Sequence, residues 1–150
     1  MPYPLWNLLK AEHTRKATTE DILQGVTNDE LRISFPIAHN VYAVVIRAVT
    51  KDSANVATIT IARAATPDQV YASATVLGSI TFTAGDSNGA SRLFRLSKSS
   101  SQAFGAGEEL IFRATAVSAI TERFKCYALA DPNIDHPSNE SGGRFFITTS

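Results

Sequence analysis

The residues that could do chemistry are few and poorly placed for it. The histidines are His13, His39 and His136, and no two have the i,i+4 helical or i,i+2 strand spacing that holds a zinc ion locally. Asp131-Pro132-Asn133-Ile134-Asp135 sets oxygen ligands at alternate positions, as a calcium loop does. His136 then stands where such a loop needs glycine, and Gly142 where it needs a bidentate glutamate. Gly78-Ser79-Ile80 lacks the trailing glycine of a nucleophile elbow. Gly105-Ala106-Gly107 lacks the third glycine and the strand-to-helix setting of a dinucleotide fingerprint, and reads as a tight entry into the strand that follows. Glu20-Asp21 suits a helix start, and Glu108-Glu109 opens a strand, where neighbours point to opposite faces, so neither pair reads as a general acid and base. Asn139-Glu140-Ser141 matches a glycosylation sequon without a secretion signal beside it. Cys126 is the single cysteine, which excludes an intrachain disulfide and points to folding in a reducing compartment. It shares a strand face with Phe124 and Ala128 and reads as a small core residue. The chain is therefore read as a non-enzyme with no cofactor and no metal.

Strands must position everything else. Val56-Ala57-Thr58-Ile59-Thr60-Ile61-Ala62 and Ile80-Thr81-Phe82-Thr83 alternate apolar and polar residues, the pattern of a sheet with one buried face. Strands are predicted over Leu31–Phe35, Val41–Val49, Val56–Ala64, Ser79–Ala84, Ser91–Ser97, Glu108–Val117, Glu122–Ala130 and Arg144–Thr148, with Val70–Val76 ambiguous. Val41–Val49 is apolar on both faces and belongs in the middle of a sheet. Gly85-Asp86-Ser87-Asn88-Gly89 is a turn. Lys98 to Gly107 reads as flexible, and Glu108–Val117 with Glu122–Ala130 as a hairpin. No amphipathic helix separates the strands, so parallel crossovers are not expected. The fold class is all-β: an antiparallel β-sandwich, jelly-roll-like, with a short N-terminal arm and helix.

Residues 1–30 differ in composition from 31–150 and form the arm of a two-part layout. Pro2 and Pro4 fix an extended start, and Tyr3, Leu5, Trp6, Leu8 and Leu9 gather apolar surface that either covers an open end of the sandwich or anchors on a neighbouring subunit. Thr18 or Thr19 is a plausible N-cap and Gly25 a stop for a one- or two-turn helix. The start of the chain does not read as a signal peptide, and no segment reads as a membrane span.

Charge narrows the partners. Fourteen basic residues balance 14 acidic ones, at a charged content of 19%, so no net field draws nucleic acid or an anionic membrane. Arg47, Arg63, Arg92, Arg95, Arg113, Arg123, Lys125 and Arg144 alternate with apolar neighbours along strands, which suits either solvated sheet faces or planar guanidinium groups offered to a protein.

In style the chain resembles small virion proteins of tailed bacteriophages, the head decoration or cement type. The resemblance rests on the disulfide-free β domain, the arm Pro2-Tyr3-Pro4-Leu5-Trp6, the Ala/Thr-rich strand Thr58-Ile59-Thr60-Ile61-Ala62-Arg63-Ala64, and the opener Ala106-Gly107-Glu108-Glu109-Leu110-Ile111-Phe112. It implies a homo-oligomer, dimer or trimer, in the virion after assembly in a host cytoplasm, bound to the major capsid protein or another virion protein. A neck or tail component is the close variant. The alternative from another class is a carbohydrate- or other ligand-binding sandwich using Trp6, Tyr42, Tyr71, Tyr127 and Phe146 as stacking rings.

Overall fold

The computed structural model describes residues 7–10, 23–24, 28–52, 54–97, 102–116 and 122–132. The strands are β1 (Asn7–Lys10), β2 (Leu23–Gln24), β3 (Glu30–Ser34), β4 (His39–Thr50), β5 (Ala57–Ala64), β6 (Thr75–Phe82), β7 (Ser91–Arg95), β8 (Ala103–Phe104), β9 (Glu109–Ala116) and β10 (Arg123–Pro132). One sheet runs β1-β10-β4-β7, with β2 also on β10 and β8 also on β4, and the other runs β3-β9-β5-β6. Every pairing is antiparallel. With β2 and β8 set aside, the first and last strands pair in one sheet, and the second and second-to-last pair in the other. That order is the double Greek key of a jelly roll.

The apolar alternation explains the two layers. Val41, Val44, Ile46 and Ala48 of β4 and Phe124, Cys126, Ala128 and Ala130 of β10 face Ile59 and Ile61 of β5 and Leu110, Phe112 and Ala114 of β9 in one buried cluster. Phe82 and Phe124 meet across the layers with ring centroids 5.3 Å apart. β4 lies between β10 and β7, as a strand with two apolar faces must. Gly78 on β6 lets the sheets close, since a Cβ there would lie 2.4 Å from the Phe94 ring on β7.

Several expectations change. Leu23–Gln24 is a strand held by β10 and not part of a helical turn, because pairing to a long neighbour outweighs local propensity, and Asn7–Lys10 of the arm is a strand on β10 as well. β9 and β10 are not a hairpin: they belong to opposite sheets. The ambiguous Val70–Val76 resolves into a 3₁₀ turn at Tyr71–Ser73 followed by β6, which runs from Thr75 without a break to Phe82. Phe104, expected in a flexible stretch, is buried beside Phe35 at 5.1 Å and under the Arg63 guanidinium at 4.6 Å. Arg144–Thr148 lies outside the described residues.

The turn at 85–89 uses its residues as expected. Gly89 takes φ +88°, a conformation that favours glycine. Asp86 accepts from the Thr83 amide at 2.8 Å and from Arg92 Nη2 at 2.6 Å. The Arg92 hydrogen bonds, with the Thr83 amide, hold the Asp86 carboxyl below its usual range. Its charged form is therefore favoured in the folded state. The stability it adds is present above the ordinary aspartate pKa, about 3.9, and is lost as pH falls through the lower folded value. Asp86→Asn should flatten that part of the stability curve; melting temperatures measured from pH 5 downward that keep the wild-type slope would contradict this.

Candidate interaction surface

Most paired arginines belong to one sheet. On the β3-β9-β5-β6 side they are neutralised. Arg32 is buried and reaches Glu109 at 2.9 Å, Glu30 at 3.2 Å and the Gln69 carbonyl at 3.0 Å. Ser34 Oγ donates to the other Glu109 oxygen at 2.6 Å. Arg113 pairs with Glu30 at 3.2 Å and lies over the Tyr71 ring at 4.3 Å. Arg63 binds Glu108 at the end of the sandwich. On the other sheet, Arg92 of β7 binds Asp86, and Lys51, just after β4, binds Glu122. Glu108 and Glu109 thus point to opposite faces, each matched to an arginine, and serve the fold rather than a reaction.

The outer face of the other sheet is different. Its residues align across strands: Lys10 opposite Tyr127, Tyr127 opposite Val45, and Val45 opposite Leu93. One row along, Leu8 is opposite Leu129, Leu129 opposite Ala43, and Ala43 opposite Arg95. On the other side Lys125 is opposite Arg47, which is opposite Ser91. Neighbouring rows are about 7 Å apart. The centre is apolar, with Leu93 51% exposed, and Val49 is 38% exposed at a β4 bulge opposite Arg123 and Phe124. Around it stand Arg47, Arg95 and Lys125, none of which makes an ion pair or hydrogen bond to another described residue. Arg123, on the same face of β10, donates to the Glu122 carbonyl at 3.0 Å.

Tyr42 marks the far edge of this face, at a second β4 bulge. Its hydroxyl donates to Asp131 at 3.2 Å. Burial, then the Asp131 charge, raises its pKa, so it acts as a neutral donor.

No family model matches the chain, and no curated protein matches it. Among solved structures it is similar to a chain in "Structure of deformed wing virus, a honeybee pathogen", at 11% identity and a TM-score of 0.36. The match covers 97% of this chain and 55% of that one, so this chain spans about half its length.

The residues singled out in the sequence are distributed as follows. Tyr3, Leu5 and Trp6 lie outside the described residues. Leu8 takes its place in the outer-face register opposite Leu129, whereas Leu9 packs against the core. Of the rings considered for sugar stacking, Tyr127 and Tyr42 are on this face, Tyr71 packs on the opposite sheet with Ala62, Ala64 and Ile111, and Trp6 and Phe146 lie outside the described residues. His39 is buried, with Nδ1 2.9 Å from the Ile37 carbonyl, while His13 and His136 lie outside. Among the described residues no group of His, Cys, Asp and Glu gathers to hold a metal ion, and no helix is long and apolar enough to cross a membrane. Cys126 is fully buried; burial, reinforced by the charge of Asp29, pushes its thiol far above the usual range and keeps it from acting as a thiolate.

Period-two alternation identifies which residues lie outside each strand, but not which outward cations find acids. The set without a partner among the described residues emerges only from strand order, because Arg47, Lys125 and Arg95 sit on three different strands.

Proposed function

We propose that the chain is a non-enzymatic structural protein of a virion, which binds the major capsid protein or a similar shell protein as a homo-oligomer and stabilises it. The observation that carries this reading is the apolar row Tyr127–Val45–Leu93 bordered by Arg47, Lys125 and Arg95. A desolvated apolar centre with an arginine-rich rim is how protein interfaces are built. The jelly roll supports the same reading, since this architecture recurs in viral shells, although lectins and cupins share it. Tyr3, Leu5, Trp6 and Leu8 extend the surface in the proposal, from the arm and the β1 edge. The partner surface is apolar with an acidic rim, and binding stabilises the shell by mass action.

Co-sedimentation with shells assembled from the candidate capsid protein tests it. Arg47→Glu with Lys125→Glu should weaken binding about tenfold or more, by setting like charges together, while the melting temperature stays near wild type. Raised salt should weaken the wild-type complex in the same direction. A charge-reversed protein that still sediments with shells as the wild type does would end this reading.

A further inference from the structure

Each sheet has two edges, and among the described residues three of the four longest edge strands carry a recognisable defence against pairing. β1 is short and ends on Lys10. β7 is short and carries Arg92 and Arg95. β3 carries Glu30 and Arg32. Short edges and charged edges are how β proteins avoid joining one another. β6 has neither device. Its sequence, Thr75-Val76-Leu77-Gly78-Ser79-Ile80-Thr81-Phe82, contains no charge and no proline over 8 residues. It pairs with β5 on one side and, among the described residues, is the last strand of its sheet. A register shift against β5 between Ile61 and Ala62 bends it near Leu77, which leaves the stretch from Gly78 to Phe82 regular. Val76, and Val70 shortly before the strand, are each 57% exposed.

We infer that β6 is a self-association edge: it pairs antiparallel with β6 of a second copy of this chain, joining two four-stranded sheets into one across a two-fold axis. The occupant follows from self-complementarity. A two-fold axis sets each residue of the strand against another residue of the same strand, so an edge carrying charge of one sign would repel its copy, and β6 carries no charge. The chain as a whole has a formal net charge of +0, so copies approach without long-range repulsion. Main-chain hydrogen bonds supply the attraction, as in other strand-addition interfaces, and the exposed valines add apolar contact beside them. The same-sign cations of the outer face make that face a poor self-contact, so the two surfaces divide the work: β6 for the like copy, the outer face for the unlike partner. This deepens the proposed homo-oligomer by naming its interface and rests on that reading.

Sedimentation of the full chain over a dilution series tests it, alongside Val76→Lys with Thr81→Lys, both exposed positions on the edge strand. The wild type should run as a dimer that dissociates on dilution. The double variant should run as a monomer at every concentration, with wild-type circular dichroism and the melting temperature of dilute, dissociated wild type. A wild type that is monomeric up to its solubility limit overturns the inference, as does a folded double variant that dimerises like the wild type. Hydrogen exchange on the wild type guards against a misfolded variant. Alternate β6 amides should be slow in concentrated protein and fast after dilution. A dimer whose β6 amides ignore concentration uses another surface, which overturns the edge assignment but keeps the homo-oligomer. Shell co-sedimentation separates the two surfaces: a monomeric edge variant that still binds shells leaves the docking face standing.

Discussion

Lys51→Met should destabilise the domain by about 3–5 kcal/mol, a large part of the stability of a single domain. Lys51 and Glu122 are both fully buried and lie 3.1 Å apart. The ammonium also donates to the carbonyls of Asp52 and Asn55. The Asp52 amide donates to the same Glu122 oxygen at 3.1 Å, and the Lys51 amide donates to Asn88 Oδ1 at 2.8 Å. One ion pair therefore ties together the end of β4, the start of β10 and the turn between β6 and β7. Removing the lysine leaves a buried carboxylate with a single backbone donor, while its Oε1 already lacks a hydrogen-bond partner among the described residues. That is the costly half of a buried pair. Replacing both partners with apolar residues, Lys51→Met with Glu122→Leu, should recover much of the loss, because neither charge then remains to be desolvated. Urea denaturation of the two singles and the double measures it. If Lys51→Met unfolds at the wild-type midpoint, the pair does not hold this end of the sandwich.

Sequence reading reaches the β-sandwich because period-two alternation is a local property, visible in Thr58-Ile59-Thr60-Ile61 and enforced by burial on one face. It places β4 inside a sheet for the same reason. It fails where the deciding contact is remote. Lys51 sits in Lys51-Asp52-Ser53-Ala54-Asn55, an ordinary turn composition, and nothing near it announces a carboxylate waiting before β10. Phe104 stands among serines and glycines, yet Phe35 and Arg63 close over it from other strands. β9 and β10 are consecutive strands with a short connection, which locally favours a hairpin; the jelly roll instead places one in each layer. Leu23 follows a plausible cap and acidic first turn, yet it pairs with Phe124. The docking face was half legible. Its outward cations are visible as residue types, but that Arg47, Arg95 and Lys125 pair with no acid among the described residues depends on where the remote acids lie in the fold.

Phe124→Ala should cost about 3–5 kcal/mol, through lost burial and an unfilled cavity. Phe124 is fully buried on β10 and meets Phe82 of β6, from the opposite sheet, at 5.3 Å with the rings tilted by 38°. The Arg92 guanidinium lies 5.3 Å from the Phe82 ring centroid and is held there by Asp86. The stack thus runs from one layer through the other to a surface ion pair. Phe82→Leu keeps most of the volume and should cost less than about 1.5 kcal/mol. A double-mutant cycle on Phe82 and Phe124 should show coupling of about 0.5–1.5 kcal/mol, the range for tilted aromatic pairs. Chemical denaturation of the four proteins reads it, and additive losses would show that the rings fill space without recognising each other. The result bears on function because Arg123 and Lys125 flank Phe124 on β10 and face outward. Loosening Phe124 should reduce partner binding only in proportion to the unfolded fraction, whereas Lys125→Glu should reduce binding at an unchanged melting temperature. That contrast separates the core that holds the sheet in place from the surface the sheet presents.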